Sequence, residues 1–134
     1  MLAPTLTAIR LSLHVLAATV FVGGQIVLVG VLPAARDIAA DAPGAVARAF
    51  ARLAWPAFVL LVVTGVWNVT TVHPSQQTAA WRAVLWVKIG VVVVAGAALL
   101  LHGRSGSATG RAVFGSIAGV ASVAALCLGV LLAG

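Results

Sequence analysis

Hydrophobic residues fall into four long runs, 11–32, 53–72, 81–101 and 112–133, separated by short stretches where Pro, Gly, Asp, Ser and Arg collect. Each run approaches or exceeds the ~20 residues a helix needs to cross the hydrocarbon core of a bilayer. A backbone in hydrocarbon must satisfy its own hydrogen bonds, so each run is expected to be a helix. The connections fall at 33–52, 73–80 and 102–111. The first holds Pro33, Asp37, Asp41, Pro43 and Gly44, then a helical-looking stretch, 45–52, that leads from the membrane surface into the second helix. The second contains the turn-like His73-Pro74-Ser75, and the third the flexible Gly103-Arg104-Ser105-Gly106-Ser107. Short connections favour antiparallel neighbours. The expected fold is all-α: an integral membrane antiparallel four-helix bundle, one domain over residues 1–134.

Polar positions inside the runs are few and periodic. Arg10, His14, Phe21 and Gln25 follow steps of four, seven and four, so they share one stripe of the first helix. Thr64, Asn68 and Thr71 form a stripe on the second. Trp81, Lys88, Ala95 and His102 recur every seven residues on the third. Polar stripes on membrane helices face the protein interior or a watery cavity rather than lipid. Counted along the helices at ~1.5 Å per residue, His14, Asn68, Lys88 and Cys127 fall in one layer, in the outer half of the membrane. Each also has a plainer reading: His14 as a hydrogen-bonding glue, Lys88 and Arg10 snorkelling outward, Cys127 as a small apolar filler.

Composition agrees with the pattern. Of the 134 residues, 63% are hydrophobic and only 7% charged, far too little polar surface for a soluble domain. The formal charge of +6 does not form a patch. Arg36, Arg48, Arg52, Arg104 and Arg111 sit around the first and third connections, while Arg10 and Arg82 lie on the other side. That distribution reads as topology rather than nucleic-acid binding. It places both termini outside and the arginine-bearing connections in the cytoplasm of a bacterial inner (plasma) membrane protein. The first run is too long for the apolar core of a signal peptide and is expected to be retained. Gly115 and Gly119 form a GxxxG pair, either for packing within the bundle or as a homo-oligomer face.

The residue inventory limits the chemistry. The chain has no Glu, and both Asp residues lie in one connection, so a soluble-type hydrolase is not expected. Neutral imidazole ligates copper and haem iron alike. Copper would take His14 with Cys127, His73, the N-terminal amine or Met1. Haem b would take His14 as axial ligand, with Arg10 or Lys88 near its propionates and Asn68, Gln25 and Thr64 lining the site. His14 and His102, roughly 20 Å apart along the membrane normal, do not serve one iron. A third reading is a non-catalytic membrane subunit whose buried polar atoms set helix register.

Three segments carry a resemblance. His14–Gly24 (HVLAATVFVGG), Arg52 through Val62-Val-Thr-Gly65, and Trp81 through Leu85-Trp-Val-Lys88 resemble the first three helices of CopD-type copper-resistance membrane domains. The resemblance implies copper uptake or tolerance, beside a periplasmic copper-binding protein. The same landmarks are similar to HemJ-type protoporphyrinogen oxidases, four-helix proteins in which a first-helix histidine is regarded as a haem ligand and a third-helix lysine as essential. The matching positions are His14 and Lys88, and this reading would make the chain an oxidoreductase.

Overall fold

In the computed structural model, which describes residues 5–134, four long helices account for nearly all of the chain. They are α1 (Leu6–Ile38), α2 (Ala42–Val72), α3 (Ala79–Arg104) and α4 (Ala108–Ala133), each long and apolar enough to cross a membrane. There is no strand among the described residues, so the fold class is the all-α, four-helix one that the apolar runs predict. The lipid bilayer is the environment these helices suit.

The helices run past the apolar runs, and the connections are correspondingly shorter. Helix α1 continues through Pro33 to Ile38, and α2 begins at Ala42, so only residues 39–41 of the first connection are non-helical; the stretch 45–52 is helical as expected and continuous with the second span. Pro43 explains part of this: it stands in the first turn of α2, where its missing N–H has no intrahelical acceptor to lose, whereas Pro33 lies inside α1 and costs that helix one backbone hydrogen bond. Hydropathy marks the part of a helix that lies in lipid, not where the helix stops. The starts of α1, α3 and α4 are fixed by side-chain caps. Thr5 accepts from Ala8 N at 3.2 Å, Thr78 from Trp81 N at 3.2 Å, and Ser107 from Gly110 N at 2.9 Å. Helix α2 ends at His73, whose left-handed backbone (φ 52°) precedes Pro74 and a single 3₁₀ turn, Pro74–Gln76.

Packing groups the chain into two compact units, Met1–His73 and Pro74–Gly134, each a helical hairpin. In the first, α1 and α2 run antiparallel. Going down the seam, Arg10 meets Thr71, His14 meets Thr64, Phe21 meets Phe58 (ring centroids 5.2 Å apart) and Gly24 meets Phe50. Residues Thr19–Gly23 wind as a π turn inside α1. Gln25 Nε2 donates to the Phe21 carbonyl in that widened turn at 3.1 Å, which supplies a local partner for backbone where the helix is loosest. In the second hairpin, α3 and α4 are closed at both ends. Trp81 Nε1 donates to Leu132 O at 3.2 Å, and His102 Nδ1 donates to Arg111 O at 2.8 Å. Gly115 leaves room for the His102 ring.

The buried positions are mostly small: Ala17, Ala54 and Ala57 in the first hairpin, and Ala95, Gly96, Ala98, Ala118 and Ala121 in the second. Large apolar residues point outward, among them Val29, Val120 and Leu131. Between helices in lipid there is little hydrophobic gain from burying them. Close backbone approach across small residues supplies the attraction instead.

Gly24 tests this packing. A Cβ there would collide with the Phe50 ring, whereas one at Gly30 meets no atom within 4 Å. Gly24→Ala is expected to destabilise the first hairpin by about 1–3 kcal/mol. Gly30→Ala should be neutral or slightly stabilising. Unfolding in mixed detergent–SDS micelles, followed by circular dichroism, measures both.

Candidate functional site

The polar side chains of the first hairpin meet along one seam because the two stripes have helical spacing and the helices are antiparallel. His14, half-buried on α1, places Nδ1 2.7 Å from Thr64 Oγ1. Thr64 is almost fully buried and also lies 2.6 Å from the carbonyl of Leu60 in its own helix. Gly65 stands beside it, and a Cβ built there would touch His14 Cε1 at 3.6 Å. The Thr-Gly pair of α2 therefore forms the bed on which the imidazole lies.

One turn before His14, roughly 6 Å along α1, Arg10 is only 7% exposed. It does not snorkel outward as its length would allow. Its Nη1 donates to Thr71 Oγ1, and the Thr71 hydroxyl lies 3.0 Å from Asn68 O and 3.1 Å from Trp67 O. Arg10 Nε and Asn68 Oδ1 are both buried without a hydrogen-bond partner. An unsatisfied buried polar atom costs about 1–3 kcal/mol, so this end of the seam has capacity for further polar contacts. Gln25 lies eleven residues beyond His14, against the π turn. It serves that turn rather than the His14 level.

The other sequence candidates are placed differently. His73 is exposed at the end of α2. It lies nine residues beyond Thr64, roughly 13 Å farther along the helix axis, so it is not at the level of His14. In the second hairpin, Lys88 reaches α4 at Gly129, whose missing side chain leaves the space for the amine. A Cβ at Gly129 would lie 2.9 Å from Lys88 Nζ. Cys127 is two residues from Gly129, turned ~200° around the helix, and is exposed. Met1 and the N-terminal amine lie outside the described residues. Among the described residues no group of three or more His, Cys, Asp or Glu gathers.

Sequence reasoning picked out His14, Arg10, Thr64 and Asn68 by period but passed over Gly65 as a neighbour of His14 and Gly129 as the seat of Lys88. The signal for Gly65 was its place beside Thr64. Gly129 gives none, since its role depends on how α4 is rotated against α3.

Comparison of the chain with protein-family models, with curated proteins and with solved structures returns no match. What the fold itself defines is a class: an all-α, multi-pass membrane protein with four helices long and apolar enough to span.

Thr70 and Thr71 provide a matched pair. Both bond back to their own helix, but only Thr71 also accepts from Arg10. Thr71→Val is expected to cost about 1–3 kcal/mol by depriving a buried guanidinium of an acceptor. Thr70→Val should stay within about 0.5 kcal/mol of the parent. SDS-driven unfolding of the purified protein reads the difference.

Proposed function

We propose that this chain is a membrane protein with a single-histidine metal centre, in the layout shared by the CopD-type and HemJ-type resemblances, with His14 as the ligand. The observation that carries this reading is the seating of the imidazole: Nδ1 on a buried threonine hydroxyl, and the adjoining Cε1 against a glycine. Ligating histidines are held in this manner, with the second nitrogen bonded to a fixed partner that orients the ring.

Haem b is the ligand this reading favours. Haem brings four of its own donors to iron and asks the protein for one or two axial ligands, an apolar surround and cations for its carboxylates. His14 offers the axial nitrogen. Arg10, one turn away and permanently charged, offers the cation, with an unpartnered Nε beside it. Asn68 and Thr64 would supply polar lining, and the Lys88 amine would be a second candidate for a carboxylate. When bound, haem would supply one-electron redox chemistry. This chain's residues would fix its axial bond, neutralise its carboxylates and keep it in an apolar surround. An oxidoreductase role follows from that reading.

Copper is the second reading, and the three CopD-type segments favour it. It asks for several protein donors. His73 is not at the level of His14, so the remaining helpers are Cys127, Met1 and the N-terminal amine. A guanidinium one turn from the site also opposes a bare cation. In this reading the chain binds or translocates copper, receiving it from a periplasmic copper-binding protein. Gly115 and Gly119 as a homo-oligomer face belong to the same set of proposals.

The orientation proposed is that of a bacterial inner membrane protein with both termini outside, since Arg36, Arg48, Arg52, Arg104 and Arg111 gather at one end of the spans. In a Cys127→Ser background, Ser75→Cys is expected to react with an impermeant maleimide on intact cells, and Ser105→Cys only after lysis. The reverse labelling would invert the orientation.

The visible spectrum of the detergent-purified protein tests the ligand. A Soret band lost in His14→Ala and kept in His73→Ala is expected. No Soret band, with stoichiometric copper lost in His14→Ala, would transfer the assignment to copper. Neither ligand in the parent protein would overturn both and leave a non-catalytic membrane subunit.

A further inference from the structure

The contact between His14 and Thr64 fixes more than the position of the ring. Thr64 Oγ1 lies 2.6 Å from Leu60 O, with Leu61 O at 3.3 Å, and 2.7 Å from His14 Nδ1. A hydroxyl has one proton and two lone pairs. A carbonyl oxygen has no proton to give. Two oxygens held at 2.6 Å with no hydrogen between them would repel, so the single Thr64 proton must point at Leu60 O. The hydroxyl can then only accept from the imidazole. Nδ1 must therefore carry a proton, and in the neutral ring Nε2 carries the lone pair.

We infer that Thr64 is a positioning residue that holds His14 in the Nδ1–H tautomer and so makes Nε2 its basic, ligating nitrogen. The relay runs His14 Nδ1–H to Thr64 Oγ1–H to the Leu60 carbonyl, and it ends on helix backbone that cannot move away. Each bond polarises the next, which raises the electron density at Nε2. Gly65 allows the arrangement, since the absence of a side chain there leaves the Nδ1–Cε1 edge of the ring room to approach α2. Free imidazole side chains in water prefer the other tautomer, so the hydroxyl reverses the default. Serine keeps the relay. Valine, nearly the same shape, removes it.

The inference rests on the reading of His14 as a ligand only for its purpose, not for its geometry, and the test separates the two. The full chain, labelled with ¹⁵N-histidine, is examined by NMR in detergent micelles above the pH at which imidazole protonates. His73→Gln and His102→Gln variants assign the His14 signals. The expected result is a protonated Nδ1 and a pyridine-type Nε2 in the parent and in Thr64→Ser, with the pattern shifting towards protonated Nε2 in Thr64→Val. A protonated Nε2 in the parent would overturn the inference, as would a Thr64→Val spectrum identical to that of the parent. This readout needs no bound metal. A tautomer as inferred, in a protein that binds neither haem nor copper, would uphold the positioning role and end the ligand reading. If haem binds, Thr64→Val should weaken it by about 10- to 100-fold while Thr64→Ser restores it.

Discussion

The first hairpin depends on threonine hydroxyls standing in for carboxylates. The chain has no Glu and only Asp37 and Asp41, both near the far end of that hairpin from Arg10. A buried guanidinium and a half-buried imidazole therefore have no acidic side chain to pair with. Each instead meets a threonine of α2 that has already turned its proton back onto its own helix: Thr71 for Arg10 and Thr64 for His14. A hydroxyl used this way is an acceptor with no charge of its own. That matters in a membrane, where a carboxylate would add a second desolvation cost of several kcal/mol before any attraction returned it.

The same economy shapes the rest of the chain. In lipid a backbone group without a partner is costly, so the elements are helices, and the helix ends outside the apolar spans are capped by Thr5, Thr78 and Ser107. Side chains between helices are small, which brings backbones near enough for one polar atom to bridge. The second hairpin shows this twice: His102 reaches the Arg111 carbonyl over Gly115, and Lys88 settles against Gly129. In each case a glycine on one helix makes room for a long polar side chain on the other.

These features were unevenly legible in the sequence. The four helices follow from apolar run length alone, because nothing else can cross hydrocarbon. The seam of Arg10, His14, Thr64 and Thr71 was legible as two stripes, because period 3.6 fixes which residues share a face. Helix ends were not legible, since Pro33 and Pro43 read as loop signals although Pro43 fits the first turn of α2 and α1 carries Pro33 within it. Rotation of one helix against another was not legible either. It puts Gly129 rather than Cys127 against α3, and leaves the cysteine on the exposed face. The π turn at Thr19–Gly23 has no mark beyond its two following glycines, and only Gln25 bonding back to Phe21 betrays a local need.

If His14 is a ligand, as proposed, donor count and charge are what would separate the two metals there. A copper ion needs several ligands to converge, and in the first hairpin the second imidazole, His73, is set apart by roughly 13 Å of helix. Iron in a porphyrin arrives with most of its ligation complete, so one well-oriented imidazole suffices, and its carboxylates turn a neighbouring arginine from a liability into a partner. The unpartnered Nε of Arg10 and Oδ1 of Asn68 bear on the same choice. Both are polar atoms held in a low-dielectric setting at a free-energy cost, about one helical turn from the residues of the His14–Thr64 contact. A bare cation would relieve Asn68 Oδ1 but would be repelled by Arg10. On the proposed reading, an anion-bearing planar ligand would relieve Arg10 and leave Asn68 to a hydroxyl or a water, and it would be the arrangement in which the charge of the seam and the chemistry of the ring agree.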